Sequence, residues 1–307
     1  MLTVLATLVA AMVGAHQPAP ARQVAVTFDD LPGASVGRLD IQHFQDFTSE
    51  LLGALARHRV PAIGFVNEGK LEADGTLVAA RVALLKQWAD AGLELGNHSY
   101  SHGDLHTMPL ETFKQDVIRG EPITKRLMTD AQKSLRFFRH PFLHTGRDAA
   151  TRGAFETFLR ERGYRVAPVT IDNYDYTFAR AYDRTSHGAE RRRIVDAYLS
   201  YMTSVVSYYE QQSQLLLGRE LPQVLLLHAN ALNGRTFDTL ARMLQGRGYA
   251  FVPLDTAIND PAYNRPDEYY GAGGITWLHR WALTEGKRGA YFAGEPVVPA
   301  WIAQAGW

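Results

Sequence analysis

With 307 residues, 46% of them apolar, the chain can bury one large core of the size an α/β barrel needs. Its 32 Lys and Arg balance 32 Asp and Glu, which excludes a global basic field that would recruit nucleic acid or an anionic membrane. The absence of cysteine excludes disulfides, a thiol nucleophile, a cysteine zinc site and a cysteine-linked lipid anchor.

Residues 1–15 are almost wholly apolar and end in Val13-Gly14-Ala15, the small-residue pattern of a signal-peptide cleavage site. The run is too short to span a membrane. No Lys or Arg precedes Arg22, so the basic start of a signal peptide is missing. The expectation is a periplasmic or secreted protein, with 1–21 as signal peptide and short linker. A buried N-terminal helix in a cytoplasmic protein is the alternative.

From 22 to 307 the pattern is that of one domain. Apolar, strand-like runs fall at 24–29, 61–67, 92–97, 135–139, 164–170, 223–228 and 249–253. Between them, 42–58, 77–90, 109–129, 147–162 and 235–247 carry helical periodicity and helix-forming residues. This alternation predicts a parallel α/β architecture, and seven such strands predict a (β/α) barrel. The 177–220 stretch is longer than a barrel connection needs. Its centre, 190–214, reads as a helix opening with Arg191-Arg192-Arg193 and carrying Tyr198, Tyr201, Tyr208 and Tyr209. It is read as a cover for the barrel, with a substrate wall as the other reading. Residues 256–307 are irregular, with Trp277 and Trp281 one turn apart on a short helix at 275–284. Packing against the barrel is expected of that pair rather than stacking on a sugar.

Chemistry concentrates at the ends of the strand-like runs. Val24-Ala-Val-Thr-Phe28 closes on Asp29 and Asp30, which delivers two carboxylates to one sheet edge. His98-Ser-Tyr-Ser-His102 follows the third run, and its spacing would place both imidazoles on one face of a helical turn, able to grip one ion. One aspartate could supply a third ligand and leave the other free as a base. Two histidines and a carboxylate keep positions open for water and substrate, which suits hydrolysis. Arg139 follows the fourth run, Asp172 and Asp175 the fifth, and His228 the sixth. Barrel enzymes gather their chemistry on that face, where the loops share one mouth. His106, His140, His144 and His187 are read as solvated or structural.

In this order, five segments resemble the motifs of the polysaccharide deacetylase family, metal-dependent deacetylases of chitin-like, peptidoglycan and plant-wall polymers. They are Thr27-Phe28-Asp29-Asp30, His98 through His102, Phe138-Arg139-His140-Pro141-Phe142, Asp172 through Tyr176, and Leu226-Leu227-His228, and the resemblance spans roughly 24–256. It implies a distorted, seven-stranded barrel. By the same resemblance Asp29 is the catalytic base, and Asp30, His98 and His102 are metal ligands. Arg139 orients the base, and Phe142 lends its backbone N–H to the oxyanion. Leu226 lines the acetyl-methyl pocket, His228 is the general acid, and Asp175 pairs with it. Phe142 stands where the family has tyrosine, which leaves the backbone contact intact. Tyr176 stands where it has tryptophan, and so bears on substrate preference.

The function expected is removal of acetyl groups, N-acetyl before O-acetyl, from an acetylated cell-wall or extracellular polysaccharide or oligosaccharide. Zinc is the expected divalent ion, with cobalt, nickel and manganese as alternatives. A small-molecule amide or imide hydrolase on the same scaffold and an inactive glycan-binding protein are the other classes. No nucleic-acid partner and no membrane span are expected.

Overall fold

The computed structural model describes residues 22–35 and 39–305, so the signal-peptide expectation lies outside the described residues. β1 (Arg22–Leu31) lies between β2 (Ile63–Val66) and β8 (Gln223–His228), and its first residues, Arg22 to Val24, also pair with β9 (Tyr249–Phe251). Outward from β2 come β5 (Glu94–Asn97), β6 (Phe137–Phe138) and β7 (Arg165–Val166). All pairings in this seven-stranded sheet are parallel. A short hairpin, β3 (Glu72–Ala73) and β4 (Thr76–Leu77), stands apart.

The stretch 165–171 closes the sheet into a distorted barrel. Its start bonds to β6 through Ala167 N–H to the Phe138 carbonyl at 2.8 Å. Its end bonds to β8 through Thr170 N–H to the Val224 carbonyl and Leu226 N–H to the Ile171 carbonyl, each 3.0 Å. The strand expected over 164–170 is therefore split, because Pro168 has no N–H to give a ladder.

Helices α1 (Ile41–His58), α2 (Ala79–Asp90), α5 (Ala149–Glu161) and α8 (Ala231–Gly246) occupy the helical stretches read from the sequence. The single helix expected over 109–129 is two, α3 (Leu110–Arg119) and α4 (Pro122–Asp130). Pro122 ends one helix and starts the other at a first-turn position, where its missing N–H costs nothing. The Glu68 carboxylate then accepts from Thr124 N–H at 2.6 Å and Ile123 N–H at 3.2 Å.

The 177–220 stretch forms most of α6 (Asp175–Arg184) and then α7 (Gly188–Leu217). Tyr198, Tyr201, Tyr208 and Tyr209 are all buried, as a covering helix requires, while Arg192 and Arg193 are exposed. The C-terminal part adds α9 (Leu254–Ile258), α10 (Trp277–Thr284) and α11 (Ala300–Ala305). Trp277 and Trp281 are buried, the latter edge-on to Tyr263 at 5.6 Å, so this pair packs rather than stacking on ligand. Among the described residues no helix is long and apolar enough to cross a membrane.

Alternation along β1 divides the labour between its faces. Val24, Val26 and Phe28 join the main core beneath the helices. Ala25 belongs to the barrel interior with Ile63, Phe65, Phe137 and Val224, and Thr27 and Asp29 follow it on the same face. Phe28 is fully buried between the rings of Trp88 and Phe237, each 5.6 Å away and edge-on. Phe28→Ala should destabilise the fold by about 3–5 kcal/mol, measured by urea denaturation. A loss under about 1 kcal/mol would contradict this packing.

Candidate active site

A β-bulge brings the two aspartates to one mouth. On a regular strand Asp29 and Asp30 would face opposite sides. Here Phe28 pairs with Gly64 and Leu31 with Val66, so β1 carries one residue more than β2 over this step. Asp30 absorbs the excess in the left-handed region at φ 72°. Both carboxylates consequently line one cavity of about 790 Å³. On the other flank, β1 and β8 stay in register, and Asp29 lies directly beside His228.

Asp30, His98 and His102 each offer a ligand atom, and these atoms lie within 4.8 Å of one another. The His102 Nε2 is 3.7 Å from Asp30 Oδ1. His98 Nδ1 bonds the Arg139 carbonyl at 2.8 Å, which fixes the proton on Nδ1 and leaves the Nε2 lone pair free. Burial lowers His98 to about 3 and His102 to about 4, so both rings are neutral at physiological pH, as ligation requires. Burial alone would raise the Asp30 carboxyl, but Lys70, His102, His228 and His98 outweigh it and hold it below the ordinary carboxylate range. An ionised carboxylate and two neutral imidazoles fit a divalent ion.

The two histidines do not sit on a helical turn as their spacing suggested. Residues 98–102 form an irregular bend in which Ser99 (φ 63°) and His102 (φ 57°) are left-handed. Asn97 shapes it from beneath: its Oδ1 accepts from Ser99 N–H at 2.7 Å, and its amide donates to the Val117 carbonyl and the Tyr164 hydroxyl. Gly120 lets α3 approach, since a β-carbon there would press on the Ser99 and Tyr100 backbone. The helical hypothesis failed because capture of the turn by Asn97 and α3 outweighs local spacing.

Beside this triad, Asp29 is almost fully buried. Burial pushes its carboxyl above the ordinary value against the pull of Arg139 and His228. The Arg139 Nη1 is 3.8 Å from Asp29 Oδ2, and Nη2 donates to the Thr27 hydroxyl at 2.9 Å. On the adjoining strand, His228 Nδ1 meets Asp175 Oδ1 at 2.7 Å, which leaves Nε2 open to the cavity. Burial would lower His228, but the charge and hydrogen bond of Asp175 lift it to about 9.

Asp175 is held by groups to which the motif reading assigned no such role. Its Oδ2 accepts from the His228 N–H at 2.8 Å and from the Asn233 amide at 2.5 Å, and Asn173 Oδ1 accepts from its N–H. Asn173 and Asn230 were nonetheless within or next to the motifs read. Lys70, 2.7 Å from Asp30 Oδ1, carried no sequence signal. Asp172 lines the cavity with its carboxyl raised by burial to about 7. Phe142, Leu226 and Tyr176 all line the cavity, whereas Arg139 and Asp175 stand behind it, against Asp29 and His228. His144 also reaches the wall, its ring stacked on His106 at 4.1 Å and bonded to Asp104 at 2.8 Å. His140 is buried against Phe138 and Phe155, and His187 is exposed at the start of α7.

Comparison with known proteins agrees with this geometry. The chain is 31% identical over 114 residues to a peptidoglycan-N-acetylglucosamine deacetylase of Bacillus cereus, a match covering 37% of this chain and 35% of that protein. It is 30% identical over 122 residues to a chitooligosaccharide deacetylase of Sinorhizobium fredii, covering 40% and 47% respectively. The chain thus spans less than half the length of either relative. Its fold matches that of the chitin deacetylase of the fungal pathogen Colletotrichum lindemuthianum, with TM-score 0.51 and 20% identity over 82% of this chain and 94% of that one. Residues 16–156, which carry Asp29, Asp30, His98, His102 and Arg139, match the family model described as polysaccharide deacetylase.

Proposed function

We propose that this protein is a metal-dependent deacetylase that hydrolyses N-acetyl groups on a cell-wall or extracellular glycan. One observation carries the reading: Asp30, His98 and His102 converge on one point, with a base candidate, Asp29, beside them and an acid candidate, His228, on the adjoining strand. The names of the two relatives, both acting on N-acetylated glucosamine polymers or oligomers, favour N-acetyl over O-acetyl.

A divalent ion held by Asp30, His98 and His102, with zinc the best fit to two imidazoles and a carboxylate, would supply Lewis-acid polarisation of the acetyl carbonyl and of a water. The chain's own groups do the rest. Asp29, with its raised affinity for protons, takes a proton from that water, and Arg139 holds its carboxylate in place. The Phe142 backbone N–H donates to the oxygen that gains charge. Leu226 offers an apolar wall to the acetyl methyl. His228, kept protonated by Asp175, gives its proton to the departing amine. Tyr176, its ring 5.7 Å from that of His228, lines the leaving-group side. The apolar residues 1–15 support export, which intact mass of the protein isolated from its host would test: retention of Met1 on soluble cytoplasmic protein would refute it.

Acetate release from N-acetylglucosamine oligomers, peptidoglycan and acetylated xylan should vanish on chelation and return with zinc or cobalt. Bound metal with no release from any of them would redirect the assignment to a small-molecule amide hydrolase. Asp29→Asn should lower kcat about 10²- to 10⁴-fold while calorimetry finds metal affinity near wild type. Loss of metal in that variant would mean that the two aspartates have exchanged roles. Because His228 acts as its protonated form, activity should fall as pH rises through about 9. Asp175→Asn should move that fall to lower pH, and an unmoved limb would remove His228 from the acid role.

A further inference from the structure

The loop that presents Phe142 is held from behind by the C-terminal part of the chain, which lies outside the stretch matching the family model. Phe142 (φ 56°) and Leu143 (φ 55°) are both left-handed, a conformation that is unfavourable for a side-chain-bearing residue and persists only where its surroundings impose it. Arg280 of α10 is 1% exposed and supplies much of that surrounding. Its Nη1 donates to the Leu143 carbonyl at 3.2 Å, and its Nη2 to the Thr145 hydroxyl and to the Tyr269 carbonyl at 3.2 Å. Its Nε is paired with Asp267 at 2.7 Å, which sets an opposite charge against the buried guanidinium. Arg152 of α5 donates to the same Thr145 hydroxyl at 2.8 Å and lies 3.4 Å from the same Asp267.

From the cavity side, Gly274 lies against the Phe142 carbonyl so closely that a β-carbon there would overlap that oxygen. The neighbouring Ala272 carbonyl meets His144 Nε2 at 3.0 Å. The loop is therefore gripped on both sides by one segment, 267–280. We infer that Arg280 and Gly274 are positioning residues that aim the backbone N–H of Phe142, so that the C-terminal extension sets the oxyanion contact without giving a group to the reaction. The inference rests on the deacetylase reading for the contact itself, and on the geometry alone for the grip.

Arg280→Gln and Gly274→Ala in the full-length protein test it, read by hydrogen exchange with mass spectrometry, metal affinity, and kcat and KM for acetate release. Both variants should exchange at least about tenfold faster in 139–146 while β1 and α1 exchange as in wild type. Metal affinity and KM should hold, and kcat should fall about 10- to 100-fold, part of the roughly 10²- to 10³-fold that loss of an oxyanion donor costs. Gly274 is exposed and outside the buried arginine network, so it remains informative if Arg280→Gln fails to fold. Wild-type exchange in Gly274→Ala would overturn the inference, as would faster exchange with kcat unchanged. Wild-type protein that binds metal but releases no acetate would instead refute the deacetylase reading, and the exchange result alone would then decide whether the extension holds the loop.

Discussion

A guanidinium with no exposure to solvent anchors this molecule. Burying Arg139 is costly unless its charge is met, and the barrel interior meets it from three directions. Asp29 answers the charge, Thr27 accepts from Nη2, and the Phe65 ring lies beneath it at 4.7 Å. The backbone of the same residue serves the metal triad: its N–H binds the Asn97 carbonyl, and its carbonyl fixes His98. The orientations of Asp29 and His98 thus depend on one residue at the end of a two-residue strand.

Around that anchor, burial and neighbouring charge sort like side chains into unlike states. Asp30 is held ionised chiefly by Lys70 against its burial, while Asp29, one residue earlier, is pushed toward holding a proton. Burial drives His98 and His102 to the neutral form, whereas His228 keeps its proton because Asp175 faces it with no water between. Three histidines and two aspartates in one cavity therefore differ in proton affinity without any difference in covalent chemistry.

What was legible in the sequence was what repeats or sits at an edge. The β-branched and aromatic content of Val24 to Phe28 places its strand, and the motif residues lie at strand ends because chain order and barrel topology coincide. What was hidden depends on partners distant in sequence. The bulge at Asp30 follows from pairing with β2, and the bend at 98–102 from Asn97 and α3. Lys70 reaches Asp30 across forty residues. Arg280 hides between two tryptophans in a helix that reads as packing alone. The break at Pro122 is an exception, since its signal stands in the sequence.

Asp29 and His228 are opposite one another on adjacent parallel strands, joined by the same ladder that pairs Thr27 with Leu226. The distance between these two side chains is therefore governed by interstrand spacing, about 4.8 Å between backbones, and not by any loop. Lengthening or reshaping the connections can change which molecules enter the mouth, yet it leaves that separation almost untouched. Divergence of this scaffold is accordingly freest in its rim, and a variant that altered the reach between Asp29 and His228 would have to break the central pair of strands in its core.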